Sequence, residues 1–270
     1  MYKGCPGFTR RTLIVAATLA VGLAGLSNSA RAADLLESVK ARGTLRIALE
    51  GTYPPFNFRD SKTGQLAGYD VDVARLVCAK LGVKPEFVTT EWSAILAGLG
   101  AGKYDVIISQ VGITPKREEA FDFSQPYTYS APQLIVRKND TANYASLADL
   151  KGHRLGVGQG SVFEQQARAA AGVEVKSYPS APEYLQDLAV GRIDAALNDS
   201  LMVGYLLKTS KLPIRPGAHV GETTRMGIAL RKDNPNLRAA LDKALADARA
   251  DGSLKAASTT WFGVDVSRAP

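Results

Sequence analysis

Few residues of this sequence belong to the types that build metal centres or covalent cross-links. The 270 residues include only two cysteines, Cys5 and Cys78, and two histidines, His153 and His219. Zinc and iron sites need clustered cysteine and histidine ligands, and no such cluster occurs, so no metal or other cofactor is expected. The two histidines are isolated and are expected to be surface or packing residues. The Gly-x-Ser-x-Gly turn of serine hydrolases and a glycine-rich phosphate loop are also absent.

Long apolar runs are missing after the N-terminus as well. Residues 1–32 have the pattern of a secretory signal, with basic residues first, an apolar stretch over 13–26 and the small-x-small cleavage site Ala30-Arg31-Ala32. The apolar stretch is short for a membrane span, and no later segment is long and apolar enough for one. The sequence therefore predicts a signal peptide over residues 1–32 and an exported mature chain that begins near Ala33.

The positions of the two cysteines indicate whether the exported chain carries a lipid anchor and whether it can form an internal disulfide. Cys5 precedes the apolar stretch, whereas the lipid-bearing cysteine of bacterial lipoproteins follows such a stretch, so a free periplasmic protein is predicted. Arg10-Arg11 partly resembles a twin-arginine export signal, but an ordinary signal also carries basic residues there and is favoured. Cys78 alone remains in the mature chain, which excludes an internal disulfide. Its helical apolar surroundings predict a buried, inert thiol.

Most of the basic character of the chain belongs to the signal segment. The formal net charge of +7 falls to +3 when the four basic residues of the signal are removed. The mature chain has no cluster of lysine and arginine with interleaved aromatic residues. Nucleic acid is therefore not expected as a partner.

The mature chain alternates strand and helix patterns in two successive blocks. The first block predicts strands at 44–49, 85–89 and 104–108, with helices at 70–81 and 93–101. The second predicts strands at 133–137, 153–157, 173–178 and 195–197, with helices at 162–170 and 182–190. A strand at 226–230 and a long helix from Pro235 to near Gly252 follow. This alternation is typical of α/β proteins with parallel sheets.

The order of the blocks predicts two lobes. The C-terminal helix packs most economically on the first block, so lobe 1 is expected to be discontinuous, over residues 33–130 and 227–270, with lobe 2 inserted over 131–226. Strands near 129–133 and 225–229 would cross between the lobes as a hinge. The likeness between the lobes is one of element order and not of residues. A cleft between two hinged lobes is a favoured place for a small ligand.

The segment from Ser109 to Arg117 indicates a ligand class. A buried-strand pattern leads into it, Thr114 fits a helix N-cap, and Pro115 fits the first helical position. Arg117 then lies beside free backbone donors and the positive end of the helix dipole, where an anion is favoured. Its planar guanidinium can hold both oxygens of a carboxylate. An ordinary ion pair with a neighbouring acid such as Glu118 or Glu119 stays open as the alternative.

Several separated blocks of the sequence resemble one known family. The most specific is Gly68-Tyr-Asp-Val-Asp-Val73, which is similar to the family signature. Further matching blocks are Glu50-Gly-Thr-Tyr-Pro-Pro-Phe56, Ile113-Thr-Pro-Lys-Arg117 and Phe121-Asp-Phe-Ser-Gln-Pro-Tyr127. The blocks occur in the family order and cover essentially all of the mature chain. The sequence thus resembles the polar amino-acid-binding proteins of bacterial ABC importers, family 3 of the solute-binding proteins.

The resemblance implies a fold, a ligand and partners. The fold is the type II periplasmic-binding-protein fold, with two lobes, each a sheet flanked by helices, joined by a two-strand hinge. The ligand is a polar amino acid, the partners are ABC permease subunits, and the protein is expected to be a monomer and not an enzyme. Arg117 matches the family arginine that binds the α-carboxylate, and Asp199 matches the acid that binds the α-ammonium. The implied ligand-binding residues are Glu50, Tyr53, Trp92, Ser109, Gln110, Gly112, Thr114, Arg117, Gly160, Ser161, Val162 and Asp199.

Several implied roles have a structural alternative. Tyr53 and Trp92 match aromatic walls of the pocket but would also suit a core. Glu50 and Gln110 match positions that face the ligand side chain, although Glu50 would equally suit an ion pair with a nearby arginine or lysine. Asp199 would also suit the N-cap of the helix that follows it.

At four further residues the family's binding roles do not apply directly to this sequence. Gly112 stands where many members have serine or threonine, so only backbone remains there for a carboxylate. Val162 replaces a frequent threonine. Asp70 and Asp72 belong to the signature, but we expect them to cap the helix that begins there and place neither in the site.

The amino acid bound is expected to be cystine or a basic one. Glu50 suggests a ligand with a distal donor or positive charge, as in arginine, lysine or ornithine. Yet Tyr184-Leu-Gln-Asp-Leu188, Gly191-Arg-Ile-Asp-Ala195 and Trp261-Phe-Gly-Val-Asp-Val266 are similar to the cystine-binding members. In cystine, the second ammonium would meet Glu50 while Gln110 bonds the distal end. Cystine is favoured, and a basic amino acid is the alternative.

An enzyme on the same fold is a further alternative, because some members resemble cyclohexadienyl dehydratases. That reaction needs a poised general acid in the cleft. Its prephenate-like substrate has no ammonium group to pair with Asp199. A binding protein is therefore favoured.

Overall fold

The computed structural model describes residues 34–270, together with Met1, Tyr2 and Gly4. The predicted signal peptide and its cleavage site lie outside the described residues. Within residues 34–270, no helix combines the length and the apolar character that a membrane crossing requires.

The chain from residue 34 onward alternates short strands and helices. Up to the first hinge strand, the elements are α1 (Leu35–Arg42), β1 (Thr44–Leu49), β2 (Thr52–Tyr53), β3 (Asn57–Arg59), β4 (Leu66–Ala67), α2 (Tyr69–Leu81), β5 (Lys84–Thr89), α3 (Trp92–Gly100), β6 (Val106–Ile107), α4 (Pro115–Glu118), β7 (Phe121–Phe123) and β8 (Thr128–Ser130). The remainder comprises β9 (Pro132–Arg137), a 3-10 turn (Leu147–Leu150), β10 (Arg154–Gly158), α5 (Val162–Ala169), β11 (Glu174–Tyr178), α6 (Ala181–Ala189), β12 (Ala195–Asp199), α7 (Ser200–Thr209), β13 (Ile214–His219), β14 (Thr224–Met226), β15 (Ala229–Arg231), α8 (Pro235–Ala250) and α9 (Ser253–Phe262).

Two five-stranded sheets of matching topology form the centres of two lobes. The sheet of lobe 1 has the order β5-β1-β6-β15-β7, and that of lobe 2 has the order β11-β10-β12-β9-β13. In each sheet the first three strands are parallel, and the next strand is antiparallel to them. The α/β class with two lobes expected from the sequence is confirmed.

The C-terminal helices pack on lobe 1. Leu237, Leu241 and Leu245 of α8 are fully buried and share one core with Val73 and Val77 of α2. The apolar residues of α8 recur at four-residue spacing, so they form one stripe that faces α2. The chain thus returns to lobe 1 after completing lobe 2.

Strands β8 and β14 pair antiparallel between the two sheets. Thr224 is paired with Ser130, and Met226 is paired with Thr128. The predicted strand over 226–230 is wrong as one element, because the chain forms β14 and then β15 with a break at Gly227. A Cβ atom at Gly227 would lie 2.9 Å from the Ile113 side chain, so only glycine passes there without displacement. The exact lobe boundaries, 33–130 with 227–270 and 131–226, stay a prediction.

An arginine–aspartate pair recurs at the same place in both lobes, which corrects the expectation that the lobes share no residue pattern. In lobe 1, Arg46 Nη2 lies 2.8 Å from Asp105 Oδ1, and the Arg46 backbone N–H donates to Asp105 Oδ2 at 2.9 Å. In lobe 2, Arg154 Nη2 lies 2.7 Å from Asp194 Oδ1, and the Arg154 N–H donates to Oδ2 at 2.9 Å. Each pair ties two parallel strands together at their amino ends, which leaves the carboxyl ends of the strands facing the opposite side.

Candidate functional site

A cavity lies between the lobes, where the parallel strands of both sheets end. Crevices at the carboxyl ends of parallel strands are the usual ligand sites of α/β proteins. The residues that line it are Glu50, Tyr53, Trp92, Ser109, Gln110, Gly112, Arg117, Gly158, Ser161, Val162, Phe163, Ser180, Ala181, Tyr184, Asn198 and Met226. Of the twelve residues expected from the sequence, nine lie on this wall. Thr114 and Gly160 line a neighbouring surface pocket, and Asp199 is buried next to the cavity residue Asn198.

Polar contacts join the two lobes around the cavity. The Tyr53 hydroxyl of lobe 1 donates to Asn198 Oδ1 of lobe 2 at 2.6 Å. The Ser93 N–H donates to the Pro179 carbonyl at 3.3 Å. These contacts join residues of different lobes, so the cavity is bounded by both lobes at once.

Arg117 is a half-buried cation at the lobe 1 wall. The local structure predicted for it is confirmed: Thr114 caps α4, with its Oγ1 accepting from the Arg117 N–H at 3.3 Å, and Pro115 occupies the first turn. Arg117 Nη1 donates to the Gly112 carbonyl at 2.7 Å, and its Nη2 donates to the Gly160 carbonyl of lobe 2 at 2.9 Å. The guanidinium carbon lies 5.6 Å from the centre of the Trp92 ring.

The charge of Arg117 has no acidic partner in the described part of the chain. No carboxylate oxygen of residues 34–270 lies within 4.0 Å of its guanidinium, so the alternative of an ion pair with Glu118 or Glu119 is not observed. Burial lowers the pKa of Arg117 to about 10. The guanidinium remains charged at neutral pH, and an anion in the cavity would stabilise it.

Asp199 ends β12 on the opposite lobe and is 1% exposed. Its Oδ1 accepts from the Leu201 N–H at 2.8 Å and from the Ser130 hydroxyl at 2.6 Å, so the N-cap alternative for this residue is confirmed. Its Oδ2 is buried and has no hydrogen-bond partner among the described residues. Burial raises the pKa of Asp199 to about 6, although the hydrogen bond from Ser130 opposes that rise. One oxygen of this carboxylate is therefore left for another group.

Glu50 follows β1 and faces the cavity with 9% of its surface exposed. The sequence left open an ion pair with a nearby arginine or lysine, but in residues 34–270 its carboxylate makes neither an ion pair nor a hydrogen bond. Burial raises the pKa of Glu50 to about 8, and the charges of Asp70 and Glu183 add to the rise. A cation in the cavity would reverse this effect, because it would favour the ionised carboxylate.

The raised pKa of Glu50 gives a testable dependence of stability on pH. The folded protein holds this proton up to about pH 8, whereas the unfolded chain releases it near 4.5, so the free energy of unfolding falls as the pH rises between these values. We expect Glu50→Gln to raise the melting temperature of the unliganded protein, with a gain that grows from pH 5 to pH 8 and is constant above it. The exposed Glu37→Gln is the control. A gain that does not change with pH would contradict the assignment.

Asp70 does not have the helix-capping role that was expected from the sequence. Helix α2 begins at Tyr69 with Gly68 as its cap and no side-chain cap, so neither Asp70 nor Asp72 caps it. Asp70 is instead fully buried behind the cavity wall and accepts hydrogen bonds from the side chains of Asn57, Gln110 and Tyr127. Asp72 lies on another face of α2, where it accepts from the Trp261 indole at 2.8 Å. As expected, neither lines the cavity.

The comparison with known proteins identifies the family. Residues 45–264 match the bacterial extracellular solute-binding proteins, family 3. The chain belongs to this family. The resemblance drawn from the sequence blocks is thereby confirmed.

Three individual proteins illustrate what this solute-binding protein is similar to. It is 41% identical over 253 residues to the L-cystine-binding protein TcyJ of Escherichia coli, covering 93% of this chain and 95% of that one. Its fold matches an ancestral arginine-binding protein bound to arginine, with a TM-score of 0.77, 37% identity and coverage of 82% and 99% of the two chains. It also matches an ancestral amino acid-binding protein, AncCDT-1, described as a precursor of cyclohexadienyl dehydratase, with a TM-score of 0.78, 32% identity and coverage of 84% and 99%. These matches confirm the type II fold.

The cavity of the solute-binding protein includes residues that the sequence did not single out as site residues. Tyr184 and Asn198 of lobe 2 hydrogen-bond to each other, and Asn198 also accepts from Tyr53. Tyr184 belonged to a block that resembles the cystine-binding members, which was the one available signal. Phe163 and Met226 also line the cavity, but apolar residues there carry no sequence signal that separates them from core.

The remaining sequence predictions concern residues away from the cavity of the solute-binding protein. Cys78 is 1% exposed, and burial raises the pKa of its thiol to about 12, which supports the inert role. His153 packs against the Tyr144 ring at a centroid distance of 5.2 Å, and His219 is exposed at the end of β13. Both histidines are therefore surface or packing residues, as predicted.

Gly112 and Val162, the two departures from the family pattern, are in contact across the cleft. A Cβ atom at Gly112 would lie 2.8 Å from Val162 Cγ1 and 3.3 Å from Thr224 Cγ2. A serine or threonine at 112 therefore does not fit against this valine. The glycine at 112 and the valine at 162 therefore belong to one close contact between the lobes.

This contact predicts that Gly112→Ser weakens ligand binding in the solute-binding protein. Overpacking costs about 1–3 kcal/mol, and the clash arises only when the lobes meet. We expect calorimetry to show the loss in the wild-type background and a smaller loss when Val162→Ala is also present. Val162→Ala alone is the matched control. Equal losses in both backgrounds would mean that the two residues act independently.

Proposed function

We propose that the protein is the substrate-binding component of an amino-acid ABC importer and holds one polar amino acid in the cavity between its lobes. The observation that carries the proposal is a pair of unbalanced charges on opposite lobes. Arg117 is a half-buried cation without an acidic partner in residues 34–270, and Asp199 has a buried oxygen without a donor. An amino acid is a zwitterion whose α-carboxylate and α-ammonium complement these two groups.

The energetics of a closed cleft explain why both charges are needed. Removing a zwitterion from water is costly unless each of its charges is paired and hydrogen-bonded. Arg117 would hold the carboxylate in a fork geometry, with the α4 N-terminus at Thr114 and the Gly160-Ser161 turn adjacent to it. Asp199 would accept from the ammonium. Since the two groups belong to different lobes, a bound amino acid would favour the closed arrangement through contacts that the open one lacks.

The remaining site residues would surround the ligand side chain. Tyr53 and Trp92 would act as aromatic walls, with Glu50 and Gln110 at the distal end. The other residues assigned to ligand binding are Ser109, Gly112 and Val162, which lie on the same cavity wall.

L-cystine is the favoured ligand. The relative TcyJ is named for binding it, and cystine carries a second ammonium group that would pair with the unpartnered Glu50 carboxylate. A basic amino acid would place its distal cation at the same carboxylate, and the ancestral relative that was solved with arginine supports this second candidate.

The cellular role follows from the family. The closed, liganded form would deliver its amino acid to the permease subunits of an ABC importer. The protein would act in the periplasm as a monomer after removal of its signal peptide, without a lipid anchor.

The protein is proposed to bind its ligand without transforming it. An enzymatic alternative is suggested by the neighbour AncCDT-1, which is named as a precursor of a dehydratase. Glu50 and Asp199 are carboxyls with raised pKa values in or beside the cavity. A prephenate-like acid, however, has no ammonium group to pair with either, so elimination of water and carbon dioxide is disfavoured as the function.

A thermal-shift screen of the common amino acids, L-cystine and prephenate tests the proposal. We expect the largest stabilisation from L-cystine, or from arginine, lysine or ornithine, because a ligand that binds only the folded state raises its melting temperature. Stabilisation by glutamine alone would contradict both ligand choices. Release of phenylpyruvate from prephenate by the purified protein would contradict the binding role.

A further inference from the structure

Gln110 lies at the cavity wall with an unusual backbone conformation. It follows β6, and its φ of 51° places it in the left-handed region, which is rare for residues other than glycine. Its N–H donates to the Tyr127 hydroxyl at 3.1 Å, which holds the backbone in this conformation. Strained residues persist only where the surroundings hold them, and they are concentrated at binding sites.

The amide of Gln110 has one orientation that its neighbours permit. Its Nε2 lies 2.7 Å from Asp70 Oδ1 and 3.3 Å from the Thr128 hydroxyl. The opposite orientation would bring two acceptor oxygens, Gln110 Oε1 and Asp70 Oδ1, to the same short distance. The Oε1 atom of this cavity-lining residue has no hydrogen-bond partner among the described residues.

The orientation of the Asp70 carboxylate is itself fixed by hydrogen bonds to both of its oxygens. Its Oδ2 accepts from Asn57 Nδ2 at 2.7 Å, and its Oδ1 accepts from the Tyr127 hydroxyl at 2.9 Å as well as from Gln110. Asn57 cannot turn, because its own Oδ1 accepts from the Gly51 N–H at 2.9 Å. Burial raises the pKa of Asp70 to about 6, and its three hydrogen bonds oppose that rise. All three contacts come from donors, which suits an ionised carboxylate that only accepts.

We propose that Asp70 is a positioning residue that selects the distal group of the ligand through Gln110. By holding Gln110 Nε2 against itself, Asp70 leaves Oε1 as the unpartnered amide atom of this cavity-lining residue. Glu50 lines the same cavity without a partner, and a cation there would favour the ionised, accepting form of its carboxyl. The distal end of the cavity therefore offers acceptors, and it selects an amino acid whose side chain ends in a cation over one that ends in a carboxylate. This inference rests on the proposed amino-acid-binding function.

The substitution Asp70→Asn is expected to reverse the orientation of the Gln110 amide. Since Asn57 donates to one side of residue 70, an asparagine there keeps its oxygen towards Asn57 and turns its amide nitrogen towards Gln110. Gln110 then reverses, its Oε1 accepts from residue 70, and its Nε2 becomes the atom available to the cavity. The distal end gains a donor and loses an acceptor without a substitution at any residue that lines the cavity.

The first measurement compares L-lysine with L-2-aminoadipate, which end in an ammonium and a carboxylate respectively. Affinities are obtained by calorimetry, directly or by displacement of L-cystine. We expect the wild type to prefer lysine, and Asp70→Asn to lower the lysine-to-aminoadipate affinity ratio by about tenfold or more, the value of one hydrogen bond to a charged group. Asp72→Asn makes the same chemical change on the same helix away from Gln110, and it should leave the ratio unchanged. A folded Asp70→Asn protein with an unchanged ratio, or a wild type that prefers aminoadipate, would overturn the inference.

The second measurement needs neither a ligand nor a variant. In the wild-type protein, NMR should show close contacts between the Gln110 side-chain amide protons and the Thr128 methyl group. Absence of these contacts would overturn the inference even if Asp70→Asn does not fold. A protein that binds no amino acid would contradict the proposed function, whereas the NMR contact would still decide whether the Gln110 amide has the orientation that the inference requires.

Discussion

Replacing Arg117 by alanine is expected to reduce amino-acid affinity by about 2–5 kcal/mol, because the α-carboxylate would then be buried without its partner. Arg117 is the one guanidinium that lines the cavity in the described part of the chain, and no other cation there takes its place. Arg117→Lys keeps the charge but loses the fork that holds two oxygens at once, so an intermediate loss is expected. Isothermal titration calorimetry measures both variants.

The matched control for this loss is Arg75→Ala. Arg75 lies on α2, its side chain is 52% exposed, and its partner is Asp72 at 3.3 Å. Exposed pairs of this kind contribute little, so the control should bind and melt like the wild type. Near-normal affinity in a folded Arg117→Ala protein would show that the guanidinium only joins the Gly112 and Gly160 carbonyls and does not hold the ligand.

Replacing Asp199 by asparagine is expected to abolish most of the binding while leaving the fold intact. An asparagine retains the oxygen that caps α7 and accepts from Ser130, since Asn and Asp are equally good N-caps. The unpartnered Oδ2, however, becomes an amide nitrogen that donates where the ligand ammonium needs an acceptor. We expect a loss of about 2–5 kcal/mol in affinity with little change in melting temperature.

Asp34→Asn is the control for changing a capping carboxylate away from the cavity. Asp34 caps α1 through its Oδ1, which accepts from the Leu36 N–H at 2.9 Å, its Oδ2 accepts from the Asn236 N–H at 2.9 Å, and it lies outside the cavity wall. The control should lose stability, because its new amide nitrogen faces the Asn236 N–H, but it should bind the ligand like the wild type. If Asp199→Asn binds normally, Asp199 serves the helix alone and the ammonium partner lies elsewhere.

Long elements with one clear period could be predicted from the sequence. Strand β1 occurs at 44–49 as predicted, and helices α2, α3, α5 and α6 begin within one residue of their predicted starts. Cap chemistry was equally informative, because Thr114 and Pro115 specify the start of α4 through interactions within four residues. Strands β2, β3 and β4 were missed, since two or three residues are too few to show a period.

The residues behind the cavity wall could not be predicted, because their roles depend on contacts distant in sequence. Asp70 was expected to cap a helix, yet its partner Gln110 is 40 residues away and Tyr127 is 57 residues away. The positive φ of Gln110 has no signal in the residue type. Asn198 was overlooked beside Asp199, although its contact with Tyr53 joins the two lobes.

The charged anchors could be named from the sequence only because the family resemblance supplied their roles. From residues alone, Arg117 remained open between ligand and ion pair, and Asp199 between ligand and cap. In residues 34–270 the structure shows no ion pair between Arg117 and an acidic residue, and it shows that Asp199 caps α7. It adds the unpartnered oxygen that makes a second role for Asp199 chemically reasonable.

The pairing of the ligand ammonium groups with site carboxylates is tested most directly by a calorimetric titration with L-cystine and with 3,3′-dithiodipropionate. The second compound has the same disulfide and carboxylates but no ammonium groups. We expect L-cystine to bind to one site per chain and the analogue to bind far more weakly, because Asp199 and Glu50 would be left without cations. Equal affinity for the two compounds, or no binding of L-cystine by a protein that binds glutamine, would contradict this expectation.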